Sequence, residues 1–253
     1  MTLQEAIVAR HSVRAYTERP LEEGVVSILE ENIGKLNKES GLHIQLIRNE
    51  PKAFLGTLAR YGRFRNVRNY LVMAGRKAEN VQEGGNTCFD IPDSEQSRTK
   101  FKSDDLDERI GYYGEHLVLL AQTLGLNTCW VGLSYKKIPD TYVLEEGEVI
   151  KAYIAIGYGE TQGAGHKIKT VAQVSNATDI TPSWFQSGVE AALLAPTAVN
   201  QQKFSFEYVG MTDNRHQVRV KKGFSLVGYT KIDLGIAKCH FEIGAGIENF
   251  DWV

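Results

Sequence analysis

The chain has 253 residues, 42% hydrophobic and 24% charged, with a formal net charge of -2 at pH 7. This is ordinary globular composition, long enough for one large core or two modest ones, and without a basic excess a broad nucleic-acid footprint is excluded, leaving any anion site to local clusters of cations. Cys88, Cys129 and Cys239 are odd in number, widely spaced and form no C-x-x-C pair, which fits free core thiols in a reducing compartment better than a disulfide framework; with neither a signal peptide nor a membrane span visible in the opening residues, the expectation is a cytoplasmic protein without a membrane partner.

In chain order, a short helix precedes Arg10, and Val25, Leu29, Ile33 and Leu36 then fall at helical spacing within residues 21–36. A loop over 37–41 and an alternating strand, His43 to Ile47, follow. Asn69 to Ala74 is a second run of strand length. Residues 75–103 are polar, contain glycine and Pro92, and read as a mobile excursion or lid. From Asp104 the period changes. Ile110, Tyr113, Leu117, Leu120, Ala121 and Leu124 form one stripe on a helix that opens with four acidic residues, suited to the positive end of its dipole, and stops at Gly125. An apolar run over 127–133 and a strand over 151–156 complete this stretch, the latter ending at the glycine-rich 157–165.

From about Val174 the order repeats in shortened form. A helix over 183–194, a polar loop over 195–203 and a strand over 204–209 carry the spacing of residues 25–47. In a later helix, residues 231–244, Gly235 and His240 stand to Gly111 and His116 at one offset (235 − 111 = 124; 240 − 116 = 124). Two shared residues alone would fit coincidence between amphipathic helices; the order of the flanking elements favours duplication. The expected organisation is a first lobe over 1–173 and a smaller second lobe over 174–253, forming one integrated unit.

Three segments carry candidate chemistry. Residues 10–16 gather Arg10, His11, Ser12 and Arg14, a dense set of donors for a phosphate, which arginine binds through paired charge-assisted hydrogen bonds; a solvated basic turn accounts for the same residues. The loop from Ala195 to Gln202 is small, polar and stiffened by Pro196, and its amides could meet the edge of a flat heteroaromatic ring, though alone it is an ordinary loop. Lys167 and Lys169 follow the glycine-rich turn, and strand alternation would aim both ammoniums to one side; a solvated strand end is equally consistent. Other signals are weaker. Gly157 to Gln162 fails the G-x-G-x-x-G pattern at its last position and reads as a turn. The histidines show no metal-ligand spacing, so His116 and His240 read as satisfied core or helix-face residues. Trp130, Tyr112 and Tyr113 read first as core.

An opening A-I-x-x-R-x-S-x-R-x-Y, an L-A-P-T-A-x-N-x-Q loop, L-G-L-N-T-C-W-V-G after a helix, and an I-A-I-G-Y strand followed by K-x-K together resemble the FMN-dependent nitroreductase family over nearly the whole chain. In that family two subunits intertwine, and each flavin lies between the arginine-serine motif of one and the A-P-S-x-N-x-Q loop of the other. Here that loop is missing at 36–42 and appears only at 195–202, while the second half has no R-x-S-x-R. The resemblance is therefore to the single-chain, fused pseudo-dimer members, with one working flavin site and one erased. It implies an α+β fold of two pseudo-symmetric lobes around central helices with a mixed or antiparallel sheet. It also implies that Arg10, Ser12, Lys167 and Lys169, with His11 beside them, hold the FMN phosphate, and that Arg14 stands near the flavin N1 edge. Pro196, Thr197, Ala198, Asn200 and Gln202 would line the ring and ribityl chain, with Val131 and Gly132 by the reactive face. Thr197 in place of serine and Lys203-Phe204 in place of Pro-Trp depart from the pattern.

The implied function is transfer of hydride from NADH or NADPH through FMN to a nitroaromatic, quinone or similar small acceptor, with no side chain acting as nucleophile and a monomer sufficing. A second reading is a flavin-binding carrier or sensor without turnover. A third, an interaction module that binds no flavin, leaves the gathering of Arg10, Ser12, Asn200 and Lys167 unexplained.

Overall fold

The structure, a computed structural model, describes residues 1–77, 103 and 105–253. Most of the excursion expected over 75–103 lies outside the described residues, as does Cys88; Gly75 and Arg76 belong instead to a strand. The helices are α1 (Leu3–Ala9), α2 (Glu23–Ser40), α3 (Thr57–Tyr61), α4 (Leu106–Thr123), α5 (Val171–Val174), α6 (Ser183–Leu193) and α7 (Thr230–Ala245). The strands are β1 (Leu42–Ile47), β2 (Asn69–Arg76), β3 (Asn127–Val131), β4 (Glu148–Gly157), β5 (Phe204–Thr212), β6 (Arg215–Lys222) and β7 (Phe250–Trp252).

The α+β class expected from the sequence is what the chain adopts. Its first sheet has the order β1-β2-β4-β3 and is antiparallel throughout. Strands β2 and β4 are central and buried on both faces, and their alternation sorts side chains to two cores. Leu71, Met73, Ala152 and Ile154 face the helices, whereas Tyr70, Val72, Tyr153 and Ala155 face the layer built from residues 51–67. Four of the strands expected from apolar runs occur, with ends moved by a few residues.

Helix α2 corrects the sequence reading. It runs through the stretch taken as a loop and ends at Gly41, whose φ of 66° suits a residue without a side chain. Asn37 holds this junction: its amide donates to the Ile44 carbonyl (2.9 Å) and its oxygen accepts the Ile44 N–H (2.8 Å). The second lobe does not copy that spacing. Gly41 alone links α2 to β1, whereas residues 194–203 link α6 to β5.

The second sheet, β5-β6-β7, pairs β5 with β6 antiparallel and β6 with β7 in parallel. In the first sheet β2 and β3 are both antiparallel to β4, hence parallel to each other. Leaving out β4 would set β3 beside β2 in parallel, which is the arrangement of β6 and β7. Between the sheets, α4 and α7 cross with glycines at the contact, Gly111 against the backbone of Ile232 and Gly235 against that of Glu108. Phe185, Phe206, Phe241 and Phe250 fill the second lobe, with Phe206 and Phe241 stacked at 4.6 Å, and join the helical faces of the first lobe in one continuous core.

Candidate functional site

A cavity of about 250 Å³ opens where the two halves meet. Ser12, Arg14 and the end of β3 with Gly132 form one wall; Pro196, Thr197, Ala198, Val199 and the first turns of α7 form the other. Seven of the expected site residues, Ser12, Arg14, Val131, Gly132, Pro196, Thr197 and Ala198, thus converge across about 180 residues of chain. Strand β3 brings its share by pairing along β4, while a bridge from Ser12 to Thr128 holds the arginine-serine segment beside it. A Cβ at Gly132 would stand 2.6 Å from the Tyr229 ring, which would have to move to admit it. Val131, Ala152, Ile232 and Ile236 make the interior apolar, with the exposed Arg14 on the same lining. An apolar slot with a few polar groups suits a flat heteroaromatic ligand.

The remaining six residues lie outside this lining. Asn200 and Gln202 clasp the segment that carries the lysines: both side-chain amides donate to the Lys167 carbonyl (2.7 and 2.9 Å), and the Gln202 oxygen accepts the Lys169 N–H (2.9 Å). Residues 167–169 are irregular rather than strand, so alternation does not govern the ammoniums. Lys167 is exposed, while the Lys169 ammonium donates to the Gln202 carbonyl (2.5 Å) and burial lowers its pKa. Arg10 is 3% exposed; it donates to the Leu194 carbonyl (3.4 Å), sits 4.0 Å from Glu115, and its buried Nε has no partner. His166 lies close by, against the Leu193 carbonyl at 3.3 Å. Burial lowers the His166 pKa, and the nearby Arg10, His11 and His240 lower it further. An anionic group beside Arg10 and His166 would oppose both downward shifts and could accept the hydrogen bond that Arg10 Nε does not make.

A sequence profile described as “Putative TM nitroreductase” matches residues 2–85 and 98–245. The chain belongs to this family. Among solved structures it is similar to a putative nitroreductase from Thermotoga maritima, at 22% identity over 96% of this chain and 83% of that one, with a TM-score of 0.58. A putative nitroreductase from Desulfovibrio desulfuricans in complex with FMN is 18% identical over 72% of this chain and 99% of its own, at 0.48. A nitroreductase family protein from Streptococcus pneumoniae is 14% identical over 70% and 100%, at 0.49. No curated protein matches.

Several residues that organise this nitroreductase-family cavity escape a sequence reading. Asp233, 3% exposed in the first turn of α7, accepts the Ala198 N–H (2.8 Å) and the Gln201 amide (2.6 Å). Glu115, fully buried in α4, accepts from Trp130 Nε1 and meets His240 Nε2, each at 2.8 Å. His240 is thereby the satisfied core histidine expected, its other nitrogen 3.0 Å from the Ala191 carbonyl. Trp130 serves both as core and as cavity wall. Carboxylates on helices usually read as solvated faces, and only the crossing of α4 and α7 puts these inside.

Burial pushes the Asp233 carboxyl up to about 6, outweighing the hydrogen bonds from Ala198 and Gln201 that pull it down. A raised folded-state pKa contributes stability that is fully present below the unfolded value near 3.8 and is lost as pH rises through about 6. The span corresponds to roughly 2 to 3 kcal/mol. Urea unfolding of Asp233→Asn from pH 4 to 8 should therefore show a shallower fall in stability with pH than the parent; parallel curves would count against the shifted carboxyl.

Proposed function

We propose that the protein is an FMN-dependent oxidoreductase whose flavin occupies the cavity between its two halves. The observation that carries this reading is the meeting of Ser12, Arg14, Val131 and Gly132 with Pro196, Thr197 and Ala198 around one apolar slot. When bound, FMN supplies two-electron redox chemistry, drawing on NADH or NADPH and serving a nitroaromatic, quinone or similar small acceptor. The chain's own part is binding and electrostatics. Val131, Ile232 and Ile236, which line the cavity, would give the ring an apolar surface and exclude water from it. Arg14 sets a positive field at the pyrimidine edge, where negative charge grows on reduction, and fixed charge of that kind acts without reorganisation. Arg10, Lys167 and Lys169 would supply positive charge to the phosphate, with the Ser12 hydroxyl and His11 as hydrogen-bond donors.

The two lobes, residues 1–173 and 174–253, are on this reading a fused pseudo-dimer in which each half retains one wall of a single site, and a cytoplasmic monomer suffices. Among the described residues no helix is long and apolar enough to cross a membrane. FMN titration of the apoprotein followed by anaerobic mixing with NAD(P)H tests the function. Saturable binding with bleaching of the flavin band supports the oxidoreductase; saturable binding with persistent oxidised flavin supports the carrier or sensor, and absent binding rejects both. Arg14→Met, at an exposed position, should bleach about tenfold more slowly, the equivalent of roughly 1.4 kcal/mol at the barrier, with unchanged unfolding. Equal bleaching rates would remove Arg14 from the electrostatic role.

A further inference from the structure

The loop that forms the second wall is held in a conformation its own residues disfavour. The angle φ is 45° at Val199, 56° at Asn200 and 45° at Gln202. Left-handed backbone is costly for any residue with a side chain and most so for a β-branched one, so something outside the loop has to fix it. Its inner contacts are few: the Thr197 carbonyl accepts the Asn200 N–H (2.9 Å) and the Thr197 hydroxyl accepts the Gln202 N–H (3.1 Å). Two external anchors fix the loop: the Lys167–Lys169 segment holds Asn200 and Gln202, and Asp233 holds the stretch that lines the cavity, accepting from the Ala198 N–H and from the Gln201 side chain. Gln201 in turn donates to the Gly228 carbonyl (3.0 Å), ahead of α7. The Gln201 oxygen is buried without a partner, so the side chain is oriented for its donors, toward the carboxylate.

The offset that relates α4 to α7 pairs Asp233 with Arg109 (233 − 109 = 124). Arg109 also ties down the junction after a helix, donating to the Ser40 carbonyl (2.8 Å) at the end of α2 and to the Arg76 carbonyl (3.3 Å) at the end of β2. The same helical position thus anchors the corresponding junction in each half, with opposite polarity. A guanidinium gathers carbonyls and closes a short link, whereas a carboxylate gathers N–H groups and holds a longer loop open along the cavity.

We propose that Asp233 is a positioning residue of the flavin wall, fixing the loop at Ala198 and Gln201 in the conformation that receives the ring, while Arg109 in its place seals the other half's junction. The proposal rests on the reading of the cavity as a flavin site. Nothing in it requires Asp233 to touch the reacting atoms.

The test compares the full-length parent with Asp233→Ala and Asp233→Asn by amide hydrogen exchange and by FMN titration. In Asp233→Ala the Ala198 amide should exchange at least tenfold faster while Ala237, deep in α7, is unaffected, and the FMN Kd should rise about tenfold or more. Asp233→Asn, which keeps one acceptor for Ala198, should fall between, and it serves as the comparison where Asp233→Ala does not fold. Unchanged exchange at Ala198, or equal FMN affinity of parent and variants, overturns the proposal. A parent that binds no FMN instead defeats the flavin reading, and the exchange comparison still decides whether Asp233 anchors the loop.

Discussion

Gly235→Ala should be among the most damaging single substitutions in the chain, with a loss of about 3 kcal/mol or more, the upper end of what overpacking costs. A Cβ at this position would lie 2.0 Å from the Glu108 carbonyl oxygen and 2.7 Å from the Tyr112 nitrogen. Both are main-chain atoms of α4, so no rotamer change relieves the clash and the helices themselves must part. The contact has a twin: a Cβ at Gly111 would lie 2.0 Å from the Ile232 carbonyl oxygen. The two contacts exchange under the internal offset (235 − 111 = 124; 232 − 108 = 124), the pattern of a self-complementary interface, so Gly111→Ala should cost a similar amount. Gly34→Ala is the control, since nothing lies within 4 Å of its added Cβ and a helix interior gains up to about 1 kcal/mol from the exchange. Urea midpoints of the three variants decide the matter. A Gly235→Ala protein as stable as the parent would mean that α4 and α7 do not meet backbone to backbone.

The same glycine pair marks how far the sequence could be read. Gly111, Gly235 and the histidines five residues on stand out because they recur at one offset, and the fold turns them into a helix crossing. The strands that escaped are those whose apolar signal is thin. In β6, RHQVRVKK offers only Val218 and Val220 among cations, and β7 is three residues long; each becomes a strand because a neighbour supplies hydrogen bonds, which no local pattern records. Helix α2 was read too short because Asn37 and Gly41 resemble a loop, whereas the Asn37 side chain bonds across to β1 and leaves the helix intact. At the site, motif residues were legible as a set, but their division of labour was not. Asn200 and Gln202 suggested ring contacts, yet here they bind the Lys167–Lys169 backbone. A β-branched residue at positive φ, as at Val199, contradicts local preference and is intelligible with the anchors on either side of it, Asp233 and the Lys167–Lys169 segment, in view.

Glu115→Ala should cost about 3 to 5 kcal/mol, the range for stripping one partner from a buried charged cluster. The Glu115 carboxylate is fully buried where three elements converge: Trp130 from β3 donates to it at 2.8 Å, His240 from α7 meets it at 2.8 Å, and Arg10 after α1 lies 4.0 Å away. Burial lowers the Arg10 pKa and Glu115 opposes that shift, so removing the carboxylate leaves a guanidinium in low dielectric with only the Leu194 carbonyl as a hydrogen-bond acceptor. It also strands the Trp130 N–H and one face of the His240 ring, each a further unsatisfied group. The offset places Cys239 opposite Glu115 (239 − 115 = 124), buried and free, so the carboxylate at this helical position is not repeated; in the other half Glu242 accepts from Trp252 Nε1 instead (2.6 Å). A double-mutant cycle separates charge from packing. If Arg10 and Glu115 are coupled through their charges, Glu115→Ala costs appreciably less in an Arg10→Met background, because no buried cation is then left uncompensated. Equal costs in both backgrounds would assign the loss to Trp130 and His240 alone, and the arginine that heads the arginine-serine segment would then owe its burial to packing rather than to Glu115.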